Sequence, residues 1–264
     1  MKPGGRLVLE TAAPLFFSAA SLPLPRRPEG RRAEGWPRQR LALLFLALAI
    51  LCAAPSLCAQ RVQLLSVRKY YTLFLSSGQN GGREPLLREI FLYRFRNFGS
   101  TAVLPTYHDE LPQQPYLEYR DRIDGRSVPV SRIGNRYWEY PTFRGGRTIE
   151  LRTDALQRVL PRDPRQKIDF FEDSIQWGGW RPPIDDYWII VDLGKMYASF
   201  RQTPAFGMGG APPPTFPEFL TNQVTRVLPA GYRIQGSTVW WHFQRIYALQ
   251  GSTTLHVEWK AWYR

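Results

Sequence analysis

"WWHFQRIYALQGSTTLHVEWKAWYR", residues 240–264, decides how the rest of the 264-residue sequence is read. At its centre stands Gln250-Gly251-Ser252-Thr253, with glycine first, as a type II′ hairpin turn requires. A turn at Gly251-Ser252 sets the register of two strands. One face then pairs Ala248 with Leu255, Ile246 with Val257, Gln244 with Trp259, His242 with Ala261, and Trp240 with Tyr263. The other pairs Tyr247 with His256, Arg245 with Glu258, Phe243 with Lys260, and Trp241 with Trp262. The first face is mainly apolar and is expected to meet the core. The second is matched as an ion pair, a cation–π contact and an aromatic pair. Two readings of it stay open. It is an exposed hairpin stabilised by its own cross-strand pairs, or it is a contact surface for sugar rings or peptides. Trp, Tyr and Arg are the residue types enriched at binding hot spots. The candidate ligand-binding residues are therefore Trp241, Phe243, Arg245, Tyr247, His256, Glu258, Lys260 and Trp262.

Upstream, alternation and turn pairs point to antiparallel β-structure. "IFLYRFRNF" alternates Phe91, Tyr93 and Phe95 against Leu92, Arg94 and Arg96. Asp124-Gly125 is a type I′ pair that sets Tyr119 opposite Val130 and Asp121 opposite Val128. Gly145-Gly146 would set Glu139 opposite Arg152 and Tyr140 opposite Leu151, with Pro141 confining that strand to an edge or a bulge. A turn at Gly194-Lys195 would pair Ile189 with Phe200 and Val191 with Ala198. "GMGGAPPPTFP", residues 207–217, is a loop. After it, Thr215 and Glu218 have capping-box spacing before Phe219, Leu220, Val224, Val227 and Leu228, so a short amphipathic helix is expected to run to Pro229. "ELRTDALQRVLP" (150–161) resembles "EFLTNQVTRVLP" (218–229), which is either coincidence or a duplicated helix-then-strand unit. The expected fold is mainly β, an antiparallel hairpin-rich sheet with one or two short helices. An α+β arrangement is the alternative if the duplication is real.

The first 59 residues read differently. An apolar run from Leu41 to Ala54 is short for a bilayer span, follows six arginines from Arg26 to Arg40, and is broken by Pro55. These are the marks of a signal peptide with a long basic n-region. Cleavage is expected after Ala59, leaving 60–264 as a single exported β-rich domain. The length of the n-region also admits a start codon downstream of Met1. The alternative is an uncleaved membrane anchor. Cleavage would remove Cys52 and Cys58, and a domain of that size needs no disulfide to hold its core. Of the 35 basic and 22 acidic residues, 8 and 3 lie in 1–59, leaving 27 against 19, or +8, for the remainder. Only Lys69, Lys167, Lys195 and Lys260 among those cations are lysines. Arginine suits anionic partners, although G+C-rich coding produces the same bias.

The sequence assigns no catalytic residue, cofactor or metal. H-E-x-x-H, C-x-x-C, G-x-S-x-G and the Walker pattern are absent from the sequence. His108 stands beside Asp109 and Glu110, but neighbours on a strand point to opposite faces. Asp169, Glu172 and Asp173, with Asp185 and Asp186, lie among aromatics and keep a secreted carbohydrate-active hydrolase open as an alternative. Export and the scattered basic residues argue against nucleic acid. The expected function is non-catalytic binding or surface assembly at the envelope. The partner would be an envelope protein or a polysaccharide, with membrane contact only through the N-terminal segment.

Overall fold

The computed structural model describes residues 8–9, 61–77, 82–103, 106–111, 114–159, 165, 167–176, 183–203, 212–247 and 252–263. The expected leader apart from Val8 and Leu9, the first part of the 207–217 loop, and the Gly251 corner lie outside these residues. No described helix is long and apolar enough to cross a membrane.

Among the described residues the chain is mainly β, as the alternation predicts, with two short helices. Its frame is an eight-stranded sheet. Across it run β15 (Arg233–Gln235), β16 (Thr238–Ile246), β13 (Ile184–Asp192), β2 (Val62–Ser77), β3 (Arg83–Asn97), β11 (Thr148–Arg158), β6 (Tyr116–Ile123) and β7 (Arg126–Val128). All neighbours are antiparallel except β13 and β2, which run parallel. Three smaller sheets accompany it. One is β12 (Ile168–Gln176), β17 (Ser252–Lys260) and β14 (Val224–Leu228). Another joins β1 (Val8–Leu9), β5 (Thr106–Asp109), β9 (Arg136–Glu139) and β8 (Ser131–Ile133), and β4 (Ala102–Val103) pairs with β10 (Thr142–Phe143).

One face of the large sheet is the core wall. Along β2 the residues Val67, Lys69, Tyr71 and Leu73 are buried, and along β3 Leu87, Glu89, Phe91, Tyr93 and Phe95. Facing layers meet them at Phe171 of β12, stacked on Tyr71 at 5.4 Å, and at Phe143 of β10, edge-on to Phe95 at 5.5 Å. This is two-layer packing, each sheet contributing alternate side chains to a shared interior.

Two readings of local sequence hold in detail. Asp124 and Gly125 take φ of 48° and 78°, and Asp121 pairs with Val128. Thr215 caps α2 (Phe216–Gln223), its backbone N–H donating to Glu218 Oε2 at 2.7 Å and its hydroxyl at 2.9 Å. These bonds hold the Glu218 carboxyl below its ordinary range. Thr215→Ala should lower the melting temperature by roughly 2–4 °C, measured calorimetrically.

Four readings are corrected. The terminal hairpin does not form: β16 pairs with β13 and β15, whereas β17 pairs with β12 and β14 in another sheet. After β13 comes a helix, α1 (Gly194–Arg201), not a returning strand. Met196 and Phe200, four residues apart, bury one helical stripe, and the Gly194 N–H bonds Asp192 Oδ1 at 2.8 Å. At Gly145-Gly146 the chain does turn. However, Asn97 captures it through the Gly146 N–H (2.8 Å) and the Arg147 carbonyl (3.0 Å), while β11 pairs with β3 and β6, so Glu139 meets Thr106 instead of Arg152. The helix α2 stops at Gln223 and the β-branched run Val224-Thr225 starts β14. Since 150–158 is entirely strand, its likeness to 218–229 marks no repeated unit.

Candidate functional site

The eight residues expected to share one face are scattered by these pairings. Trp241 is 3% exposed, its indole N–H donating to the Pro229 carbonyl at 2.9 Å. Phe243 lies half-buried against Tyr187. Arg245 is exposed, with φ of 51°, and Tyr247 is 64% exposed. On the other sheet His256 is buried with Nδ1 2.7 Å from Glu172 Oε1, and Glu258 accepts from the Thr225 hydroxyl at 2.6 Å. Lys260 donates to the Asn222 carbonyl at 2.9 Å, and Trp262 packs between Phe200 and Phe219. The proposed pairs Arg245–Glu258, Phe243–Lys260, Trp241–Trp262 and Tyr247–His256 are not made.

A different aromatic surface is assembled instead, on the solvent side of the large sheet. Since Trp241 and Tyr187 face inward, their neighbours Trp240, His242, Asp186 and Trp188 face outward. In register, Trp188 lies opposite His242, and Trp240 opposite Ile190. The rings form a row: His242 stacks on Trp188 at 3.8 Å and 16°, and Trp240 stands 5.3 Å from Trp188. Arg233 of β15 closes over Trp240 at 5.2 Å. Asp186 fixes the row. Its carboxylate accepts the Trp188 indole N–H at 2.9 and 3.0 Å, lies 2.5 Å from His242 Nε2, and has the Arg68 guanidinium at 3.9 Å. Two of the three half-buried rings are thus held by one carboxylate, and Trp240 packs against Trp188, the first of them. Beside them lies a hollow of about 320 Å³, lined by Ala230, Gly231 and Arg233 on one side and Trp240 to Gln244 on the other. Trp188 and Arg68 escaped the sequence reading, although "DYWIIVD" alternates visibly. The partner strand β2 lies more than a hundred residues upstream and pairs in parallel.

The interior carries a second polar system. Lys69 Nζ bonds Asp173 Oδ2 at 2.5 Å, and the Tyr71 hydroxyl donates to the same oxygen. Gln157 donates to Glu89 Oε2 at 2.5 Å and accepts from Gln114 at 3.1 Å. Burial, then the Asp173 charge, pushes Glu89 up to about 8 against the pull of Lys69. One lysine thus faces two carboxyl groups, and Glu89 keeps its proton at neutral pH. Farther along, Asp121 accepts the Thr153 hydroxyl at 2.6 Å and Glu139 the Thr106 hydroxyl at 2.5 Å. Burial raises both, Asp121 to about 6, and the Asp121 charge pushes Glu139 further up. His108 is buried and driven down to about 3 by desolvation and then by Lys69, so it is neutral. Asp109 leaves on the other side to Arg136 at 2.8 Å. No group of three His, Cys, Asp or Glu placed to hold a metal occurs among the described residues.

The carboxylates weighed for glycoside hydrolysis do not converge. Asp169 and Asp173 are 0% and 1% exposed, the first bonded by the Tyr263 hydroxyl. Glu172 turns to His256 on the opposite face of β12, and Asp186 holds the outer rings.

No family model and no curated protein sequence matches the chain. Among solved structures it is similar to a candidate nutrient-binding protein from Legionella pneumophila. The identity is 11% and the TM-score 0.49, over 76% of this chain and 68% of that one. It is also similar to an M1 zinc metallopeptidase from Deinococcus radiodurans, at 10% identity and a TM-score of 0.34 over 76% and 42% of the two chains. A candidate protease from Parabacteroides distasonis stands at 9% and 0.36, over 75% and 40%. The chain spans less than half the length of these two peptidases. Likenesses this distant say nothing about what the chain binds or does.

Proposed function

We propose that this is an exported binding domain that takes a polysaccharide of the cell envelope on the outer ring row of β13 and β16. The observation that supports it most is the fixed stack of Trp188, His242 and Trp240 beside an open hollow. Flat apolar rings bordered by Asp186, Gln244 and Arg233 match a sugar, whose faces are apolar and whose edges carry hydroxyls. The rings are held before the ligand arrives, so little side-chain ordering opposes binding. An envelope-protein partner is the second reading. It is favoured by the outer edge of β16 beyond Trp240, which has no strand neighbour among the described residues.

Affinity electrophoresis of the secreted protein in gels containing the organism's extracted envelope polysaccharide tests the first reading. Retardation is expected for the native protein. Trp188→Ala/Trp240→Ala should weaken it by roughly tenfold to a hundredfold, the loss of one or two hot-spot contacts. Unaltered retardation by a folded double variant contradicts the reading. Loss of an envelope-protein contact with no polysaccharide retardation in either protein would favour the second.

A further inference from the structure

We infer that a second groove, at the far end of the large sheet, binds the carboxylate groups of an acidic sugar chain. The groove measures about 650 Å³ and lies between the β6–β7 hairpin and the segment from Tyr140 to Ile149. It presents Arg126, Arg144 and Arg147, all exposed. Some arginines elsewhere are engaged by carboxylates, as Arg132 is by Glu110 at 2.5 Å, Arg136 by Asp109 at 2.8 Å and Arg88 by Asp154 at 3.1 Å. These three have no carboxylate within ion-pair distance among the described residues. The lone acid of the lining, Asp124, already accepts the Glu150 N–H at 2.9 Å.

The scaffold beneath them is fixed. Asn97 Nδ2 donates to the Phe143 and Ser100 carbonyls, both at 2.8 Å, and its backbone bonds both ends of the Gly146-Arg147 pair. Gly146 holds a φ of 67°, and a Cβ on Gly145 would stand 2.5 Å from the Gly99 oxygen, so this turn admits little else. Arg144 and Arg147 therefore project from a pinned turn and Arg126 from a type I′ hairpin. Guanidinium forks match carboxylates bidentately. Tyr140, 55% exposed, adds a ring face on which a sugar can lie. An open groove with spaced cations and a ring fits a chain bearing repeated carboxylates better than one isolated anion.

The test uses polygalacturonate as the acidic probe, dextran as the neutral one and inorganic phosphate as the isolated anion, in titration calorimetry. Native protein should bind polygalacturonate, with affinity falling as salt rises, and bind dextran far more weakly. Arg126→Ser/Arg144→Ser/Arg147→Ser should weaken polygalacturonate about tenfold or more at an unchanged melting temperature, from the loss of charge-assisted bonds. Trp188→Ala/Trp240→Ala should leave this binding as it is. The inference is overturned by an absence of polygalacturonate binding, by undiminished binding in the triple variant, or by equal affinity for dextran. Loss in the tryptophan variant, or full displacement by phosphate at matched charge, also overturns it.

Discussion

Lys69→Met is expected to destabilise the protein by about 3–5 kcal/mol in urea denaturation at pH 7, the range for breaking a buried ion pair by removing one partner. Lys69 sits at 2% exposure in the middle of β2, bonded to Asp173 and close to Glu89. Without it, Asp173 keeps the Tyr71 hydroxyl but has no positive charge, and burial already raises its pKa. That carboxyl must then take up a proton to stay inside. The loss should shrink in acid, where protonation is free. Lys69→Met/Asp173→Asn removes both charges and keeps an acceptor for Tyr71, so it should recover at least half of the loss. A single variant costing less than about 1 kcal/mol would place Lys69 outside any buried pair.

Glu89 makes the second large effect, a loss of stability as the solution turns mildly alkaline. Its folded pKa is about 8 against an ordinary 4.5, so between those values the folded state holds the extra proton. Stability is complete below the lower value and falls as pH rises through the upper one, by up to about 1.4 kcal/mol per unit. From pH 4.5 to 6.5 His108 works the other way. Its folded pKa is about 3, so its burial is favoured only above the ordinary 6.5 and is lost as pH falls. Above pH 6.5 His108 is neutral and Asp121 ionised in both states, so Glu89 acts there unopposed by them, and Glu139, also raised by burial, acts in the same direction. A drop of about 2 kcal/mol between pH 6.5 and 8 follows. Glu89→Gln, which keeps the amide contact at Gln157, should remove that portion. A stability that rises from pH 6.5 to 8 in the native protein would contradict the assignment of the proton to Glu89.

How much of this is legible in the sequence depends on whether a feature is local. Asp124-Gly125 needs only its own φ angles, and Phe91, Tyr93 and Phe95 alternate because one face of β3 is buried, so both emerge correctly. The buried network also leaves a signal: Lys69 is in phase with Val67 and Tyr71, Glu89 with Leu87 and Phe91, and Asp173 with Phe171 and Ile175. A charge in core phase asks for a partner. Strand neighbours are another matter. Alternation tells which side of a sheet a residue takes, not which strand lies alongside, and β16 and β17 each find partners far from one another. The candidate site was lost for that reason. Trp240 and His242 lie in the terminal stretch, but a turn at Gly251-Ser252 puts them on the face expected to meet the core. Trp188 and Arg68 join it only through β13 and β2.

Most direct is the pattern of interstrand nuclear Overhauser effects in the isotopically labelled protein. Placement of β16 against β13 predicts cross-peaks between the His242 and Trp188 rings, 3.8 Å apart by centroid, and between the backbones of Tyr187 and Phe243. Cross-peaks joining Gln244 to Trp259 or Trp241 to Trp262, with none from His242 to Trp188, would contradict it and dissolve the outer ring row.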